Sequence, residues 1–330
     1  MKKSKVTHYR TLVGILISII GLYLGFRKFD GREFLTALAG ADLWYYLAAM
    51  LLMVLVTGLR AWRWQYLLRP LKPMPYRHVF AATMICYFGN NVFPLRMGEI
   101  LRSYSLGKME NVSAVAVFGT VIVERVLDTI IFALILIAAA IFFPGLPGWV
   151  RMGSTGAVII VVIFVVLLYI LRTRQGKLRD FAKRKIAGLS RGKMSKLIDN
   201  FINGILTLRS SPHLAKIALQ SIIIWVLSIV NIWVAGLAMD ISLSVENLLL
   251  VFIVTSAIIS IPSAPGYVGT YHAGLIGILT LLGFELALSQ AFAVILHSVG
   301  FLSLTSIGVF YFIKYHVRVR EAKILASDET

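Results

Sequence analysis

The sequence predicts an all-α polytopic membrane protein with about six full transmembrane helices and two broken or re-entrant helical hairpins related as an inverted repeat. Three observations carry this. First, the chain is 58% hydrophobic and its mean hydropathy is +0.84, whereas soluble domains hold about 45–50% apolar residues. Second, several apolar runs reach or approach the ~20 residues that cross a bilayer as a helix. Third, two apolar stretches are interrupted at prolines, and the interruptions superimpose: Pro94 falls on Pro265 and Gly98 on Gly269. Interrupted hydrophobic segments at matching places in two halves point to a transporter's binding site. A broken helix in a membrane leaves backbone groups that only protein, water or a ligand can satisfy.

The elements follow in order. Lys2, Lys3, Lys5 and Arg10 place the N-terminus in the cytoplasm. Span one covers residues 11–26; Arg27 and Lys28 follow it with no small-residue cleavage site, so it reads as a retained span and not a signal peptide. An outer loop balances Arg27, Lys28 and Arg32 against Asp30, Glu33 and Asp42. Span two covers 43–59, with Trp44, Tyr45 and Tyr46 as an aromatic belt, and Arg60, Arg63, Arg69, Lys72 and Arg77 return the chain inside. The first broken pair is 78–93 with 97–106. Span three, 112–143, is interrupted by Glu124, Arg125 and Asp128. Pro144 to Gly148 form an outer turn, and span four is 152–171. Residues 172–212 hold eleven Lys or Arg against Asp180 and Asp199, which marks them as cytoplasmic. Within them, Leu197, Phe201 and Leu208 between Lys196 and Arg209 give either an amphipathic helix on anionic lipid or a solvated basic loop. Span five is 214–239 and Asp240 and Glu246 mark an outer loop. The second broken pair is 247–261 with 267–282. Span six is 286–315, and Lys314, Arg318, Arg320 and Lys323 place the C-terminus inside. Three full spans separate the broken pairs, so the pairs (within 78–106 and 247–282) open to opposite sides of one integral membrane domain, 1–330.

The net charge of +18 does not indicate nucleic acid, because the basic residues collect in alternate loops as membrane topology selects. The single cysteine, Cys86, excludes an internal disulfide and a cysteine-rich metal site, and reads as packing. Phosphate-binding loops, zinc spacings and nucleophile elbows are absent, so no cofactor, no metal and no enzyme activity are expected.

Several residues are able to carry chemistry. Glu124 and Asp128 share a helix face, with Arg125 about 100° away. An ionised group at mid-membrane costs about 2.5–3.5 kcal/mol on insertion scales. The three therefore form either an ion-pair lock to Arg96 or Arg102, or a polar binding cavity. After Pro94, the free amides of a first helical turn favour an anion, and Arg96 adds a charged fork. Glu99 and Arg102 are spaced to pair, and Asn90 and Asn91 add polarity that an inert hairpin does not need. In the second break, Pro262, Pro265, Gly266 and Gly269 permit close backbone approach. Tyr271 and His272 supply polar groups there, although His272 and His297 read first as packing or hydrogen-bonding residues. Arg60-Ala-Trp62-Arg63-Trp64 reads as an anchor at the cytoplasmic interface.

With those motifs in order, the chain resembles the transmembrane domain of the lysylphosphatidylglycerol synthase/flippase family. The carriers are Arg63-Trp64, Asn91 through Arg102 around Pro94-Leu-Arg96-Met-Gly98-Glu99, Glu124-Arg125-Val-Leu-Asp128, and Pro262-Ser-Ala-Pro265-Gly266-Tyr-Val-Gly269. Many relatives carry an acidic residue where this chain has His272. No aminoacyl-transfer domain accompanies these motifs, so lipid synthesis is not carried over. The resemblance implies translocation of a modified phospholipid, glycolipid or polyprenyl-phosphate-linked lipid across a bacterial or archaeal plasma membrane. The residues themselves ask for an amphiphile whose anionic head sits among Arg96, Arg102 and Arg125. A membrane transferase using Glu99, Glu124 or Asp128 as base is one alternative, and a scaffold for a lipid-modifying enzyme is another. Expected partners are that lipid and anionic lipids at the cytoplasmic face, with room for a homo-oligomer.

Overall fold

The computed structural model describes residues 2–173, 213–260, 263–319 and 321–322. The basic segment 174–212, with the amphipathic helix expected at 196–209, and Pro262 lie outside them. All regular structure among the described residues is helical. In chain order the helices are α1 (Lys2–Phe26), α2 (Gly31–Ala39), α3 (Leu43–Leu68), α4 (Tyr76–Val92), α5 (Gly98–Glu110), α6 (Ala114–Phe142), α7 (Gly148–Thr173), α8 (Leu214–Leu237), α9 (Val245–Ser260), α10 (Thr270–Leu281) and α11 (Leu286–Lys314). Short 3-10 turns, Pro94–Arg96 and Pro265–Tyr267, divide α4 from α5 and α9 from α10. Among the described residues, five helices are long and apolar enough to cross a membrane, or six if α1 and α2, bent by 87°, form one broken span. Outward-facing Val158, Ile159, Val162 and Ile163 on α7 are apolar, as contact with lipid tails requires.

The order α3, α4, turn, α5, α6 recurs as α8, α9, turn, α10, α11. The first set begins at residues 43, 76, 94, 98 and 114, and the second at 214, 245, 265, 270 and 286. The proline alignment seen in the sequence therefore belongs to a repeat of whole elements.

Two differences from expectation stand out. The outer loop after α1 contains a helix, α2. Asp30 caps it, accepting from the Arg32 and Glu33 amides at 2.8 and 3.1 Å, and none of its residues is buried. Secondly, α3 does not end at residue 59. Asp42 caps its start by accepting from the Trp44 and Tyr45 amides, and the helix runs to Leu68. Its arginines therefore lie on a helix, not beyond one.

The chain forms two compact units. One comprises Met1–Thr57, Met84–Gly98 and Trp225–Tyr311; the other comprises Gly58–Thr83, Glu99–Ile224 and Phe312–Thr330. In the first, α1 packs on α10, and α9 packs on α10. The buried Asn231 side chain donates to the Ala49 carbonyl at 2.7 Å, tying α8 to α3. In the second, α6 packs on α7, and Trp64, Leu68, Val79, Leu106, Val117, Val121 and Ile217 build a closed apolar core.

Candidate functional site

Each unit holds one constellation of the expected residues. The first unit holds the two helix breaks. Proline at position 94 has no N–H and ends α4; the Gly98 amide beyond it donates to Asn90 Oδ1 at 3.0 Å. Asn91 donates to Thr305 Oγ1 of α11 at 2.8 Å. Arg96 lies at a left-handed φ of 53° and donates to the carbonyl of Ile259, one of the free carbonyls at the end of α9. Its guanidinium also lies over the Tyr267 ring, 5.8 Å from the centroid. Arg96 therefore does not lock span three; it joins one break to the other.

The second break follows the same plan. Pro265 opens its turn, and Tyr267, two residues on, has φ 59°, matching Arg96 two residues after Pro94. Gly266 and Gly269 take φ of 67° and 94°, values that L side chains resist. A methyl group at Gly269 would also overlap the Ser18 carbonyl of α1. The freed backbone groups are met by side chains. Ser18 Oγ accepts from the Ala264 amide at 2.8 Å. His297 Nε2 donates to the Gly266 carbonyl at 2.7 Å. His272 Nδ1 accepts from the Gly269 amide at 3.4 Å. The break amides expected to wait for a ligand are thus largely occupied by protein. Tyr271 and His272 are buried, and Tyr271 stacks beside His297 with ring centroids 5.2 Å apart.

The second unit holds the charges. Arg63, fully buried on α3, is at their centre. Its guanidinium donates to Asp128 Oδ1 at 2.7 Å, to Ser221 Oγ of α8 at 3.0 Å and to Glu124 Oε1 at 3.4 Å. Arg102 of α5 pairs with Glu124 at 2.8 Å. It lies 3.5 Å above the ring of Trp64, whose Nε1 donates to Thr120 Oγ1 at 3.0 Å. Arg60 reaches Asp128 at 3.7 Å. Arg125 reaches Asp128 at 3.4 Å, Glu124 at 3.5 Å and Glu99 at 3.8 Å.

Two expectations are corrected here. Arg63 and Trp64 are not an interface anchor, since both are fully buried. Glu99 does not take Arg102; it faces Arg125, while Arg102 takes the buried Glu124. Arg63, read from the sequence as an interface residue, is instead the buried centre of the charge cluster. The signal was present: Arg60 and Arg63 sit three apart on a helix, the spacing that lets both face one acidic pair.

The cluster sets arginines 60, 63, 102 and 125 against carboxylates 99, 124 and 128, so it is net positive. Burial is graded. Arg63, Arg102 and Glu124 are enclosed, whereas the Arg125 side chain is 45% exposed and Glu99 25% exposed. Arg102 Nε and Nη2 are buried donors with no acceptor among the described residues. In the last turn of α5, burial pushes the Glu110 carboxyl up, but bonds from His78 at 2.5 Å and Lys72 at 3.1 Å outweigh it and hold it below the ordinary glutamate value.

Comparisons with known proteins identify relatives of the chain. A UPF0104 membrane protein of Methanothermobacter thermautotrophicus is 26% identical over 89% of this chain and 92% of its own length. A second UPF0104 membrane protein, from Methanocaldococcus jannaschii, is 26% identical over 90% of this chain and 91% of its own. Glycosyltransferase AglD of Haloferax volcanii is 31% identical over 40% of this chain and 21% of that protein. No solved structure matches. The lysylphosphatidylglycerol synthase TM region matches residues 11–308, and with the buried Arg63–Glu124–Asp128 cluster and paired helix breaks in place, the chain belongs to that family of multi-pass integral membrane proteins.

Proposed function

We propose that the protein carries a lipid with an anionic head group across the plasma membrane of its cell, with both termini and residues 172–212 cytoplasmic. The observation that supports this most directly is the graded, net-positive cluster. Arg125 is open enough to meet a head group, and behind it Arg102 holds two buried donors with no acceptor among the described residues. A phosphate supplies the acceptors those donors lack. Family membership and the repeat of broken elements support transport, because inverted repeats with interrupted helices are the architecture of many secondary transporters. The partial likeness to a glycosyltransferase widens the cargo to lipid-linked sugars without adding catalytic residues.

The test is flux in reconstituted vesicles, read by dithionite quenching of fluorescently tagged phosphatidylglycerol and phosphatidylcholine. The anionic lipid is expected to cross faster, and Arg125→Gln to remove that preference. Equal rates for both lipids, matching protein-free vesicles, would overturn the reading. Sidedness is checked by single-cysteine labelling in a Cys86→Ala background: external labelling at position 190 contradicts the topology.

A further inference from the structure

We propose that His297, paired with His272 on the second helix break, binds a single proton, and that this proton is coupled to movement of the break. The coupling half of the proposal rests on the transport reading above; the proton site does not.

The hydrogen bonds of the two rings set their tautomers. A carbonyl only accepts, so His297 Nε2, 2.7 Å from the Gly266 oxygen, carries the hydrogen. In neutral His297 the other nitrogen, Nδ1, is therefore a free base. An amide only donates, so His272 Nδ1, facing the Gly269 amide, is unprotonated. The two rings lie 4.7 Å apart, centroid to centroid. Two imidazolium charges at that separation repel strongly, so the pair holds one proton and not two.

The two sites for that proton are not equivalent. Protonating His272 Nδ1 sets one donor against another and breaks its bond to the Gly269 amide. His272 also sits in the first turn of α10, where the helix dipole disfavours a cation. Protonating His297 Nδ1 costs no existing bond. It turns the bond to the Gly266 carbonyl into a charge-assisted one, which is shorter and stronger. The proton thus belongs on His297, and its arrival tightens the hold on a glycine at φ 67°.

The groups facing the pair permit this. From α10 they are Tyr271 and His272; from the turn, the Gly266 carbonyl, with Arg96 over the neighbouring Tyr267. From α1 they are Phe26, near His272, and Ser18 on the Ala264 amide. From α11 there is Phe301, and Tyr46 of α3 bonds Ser298 beside His297 at 2.9 Å. No carboxylate is among these described neighbours, so no acid fixes a permanent proton on the pair. Gly266 also abuts the Asn91 carbonyl of the first break. A tighter or looser Gly266 is thereby felt at both breaks.

The test separates the site from its coupling. Purified protein with 15N-labelled histidine is titrated in lipid nanodiscs. His297→Gln keeps a side-chain donor for the Gly266 carbonyl but has no base, so it is expected to fold and to lose one titrating imidazole. His272→Gln keeps an acceptor for the Gly269 amide and is expected to leave that titration in place. If His297→Gln removes no titrating signal, the proton site is wrong. Flux of tagged phosphatidylglycerol is then compared with and without a gradient of one pH unit, which biases a one-proton equilibrium by about tenfold. Wild type and His272→Gln are expected to change rate severalfold and His297→Gln not at all. Equal gradient dependence in wild type and His297→Gln overturns the coupling. Absence of any wild-type flux would instead count against the transport reading, and the imidazole titration alone would decide the proton site.

Discussion

Arg96 and Tyr267 hold the same place in two broken helices and touch each other. Each stands two residues after the proline that opens its turn, each has a left-handed backbone, at φ 53° and 59°, and the guanidinium of one lies over the ring of the other. Arg96 also caps α9 through the Ile259 carbonyl. The contact is therefore a joint between two breaks and not a free cation awaiting a phosphate.

It follows that Arg96→Ala removes a solvent-exposed cap and should lower stability by roughly 0.5–1.5 kcal/mol. Lysine can still donate to the carbonyl but cannot lie flat over the ring, so Arg96→Lys should lose less. Thermal unfolding of the purified protein in detergent measures both. Equal melting temperatures for Arg96→Ala and wild type would show that the joint carries no stability.

Arg63 should be far less replaceable. Removing it strands Glu124 and Asp128 in a buried site, at a cost of about 3–5 kcal/mol. Lysine cannot span Ser221, Glu124 and Asp128 together, so Arg63→Lys should recover little. Trp62, 45% exposed one residue away, is the control: Trp62→Ala should leave folded yield nearly unchanged. Folded yield by size-exclusion chromatography distinguishes the outcomes, and parity between Arg63→Ala and Trp62→Ala would mean the cluster is not structurally closed.

At the second break, Gly269→Ala meets both a φ of 94° and the Ser18 carbonyl. A strained backbone position alone costs on the order of 1–3 kcal/mol, and the overlap adds to it. Gly277, on α10, has nothing within 4 Å of an added methyl. Gly277→Ala should be neutral or stabilising by about 0.5–1 kcal/mol, as alanine is in a helix interior. Melting temperatures of the two variants should move in opposite directions.

Glu110 sets an acid limit. Its carboxyl lies below the ordinary value through His78 and Lys72. The unfolded chain then binds the proton more readily than the folded one. The stability Glu110 contributes is present above the ordinary glutamate pKa of about 4.3 and is lost as pH falls through the lowered folded value. Glu110→Gln should lower stability near neutral pH and flatten the loss on the acid side. A melting-temperature series from pH 7 down to about 3 reads this directly, and an unchanged acid slope would assign the loss to other groups.

Membrane class, most span positions and both helix breaks were legible in the chain, whereas the helix α2 and the extension of α3 to Leu68 were not. Length and hydropathy specify spanning helices because a bilayer leaves few other ways to satisfy a backbone. Proline removes an N–H wherever it stands, so 94 and 265 had to interrupt. Span ends agree with the structure within a few residues for α6, α8 and α11. What the sequence did not disclose was pairing. Arg63 looked like an interface anchor because local charge counts cannot show that α3 continues to Leu68 and turns that residue onto α6 and α8. Glu99 and Arg102 looked like partners because they are three apart, yet Arg102 found a better-buried acid on another helix. Arg96 looked like an anion ligand, and the fold brought the end of α9 to it first. His297 reaches Gly266 from a separate helix. Local patterns follow from the covalent chain, which carries its periodicity everywhere. Partners for buried charges depend on which helices meet, and that follows from packing across the whole fold.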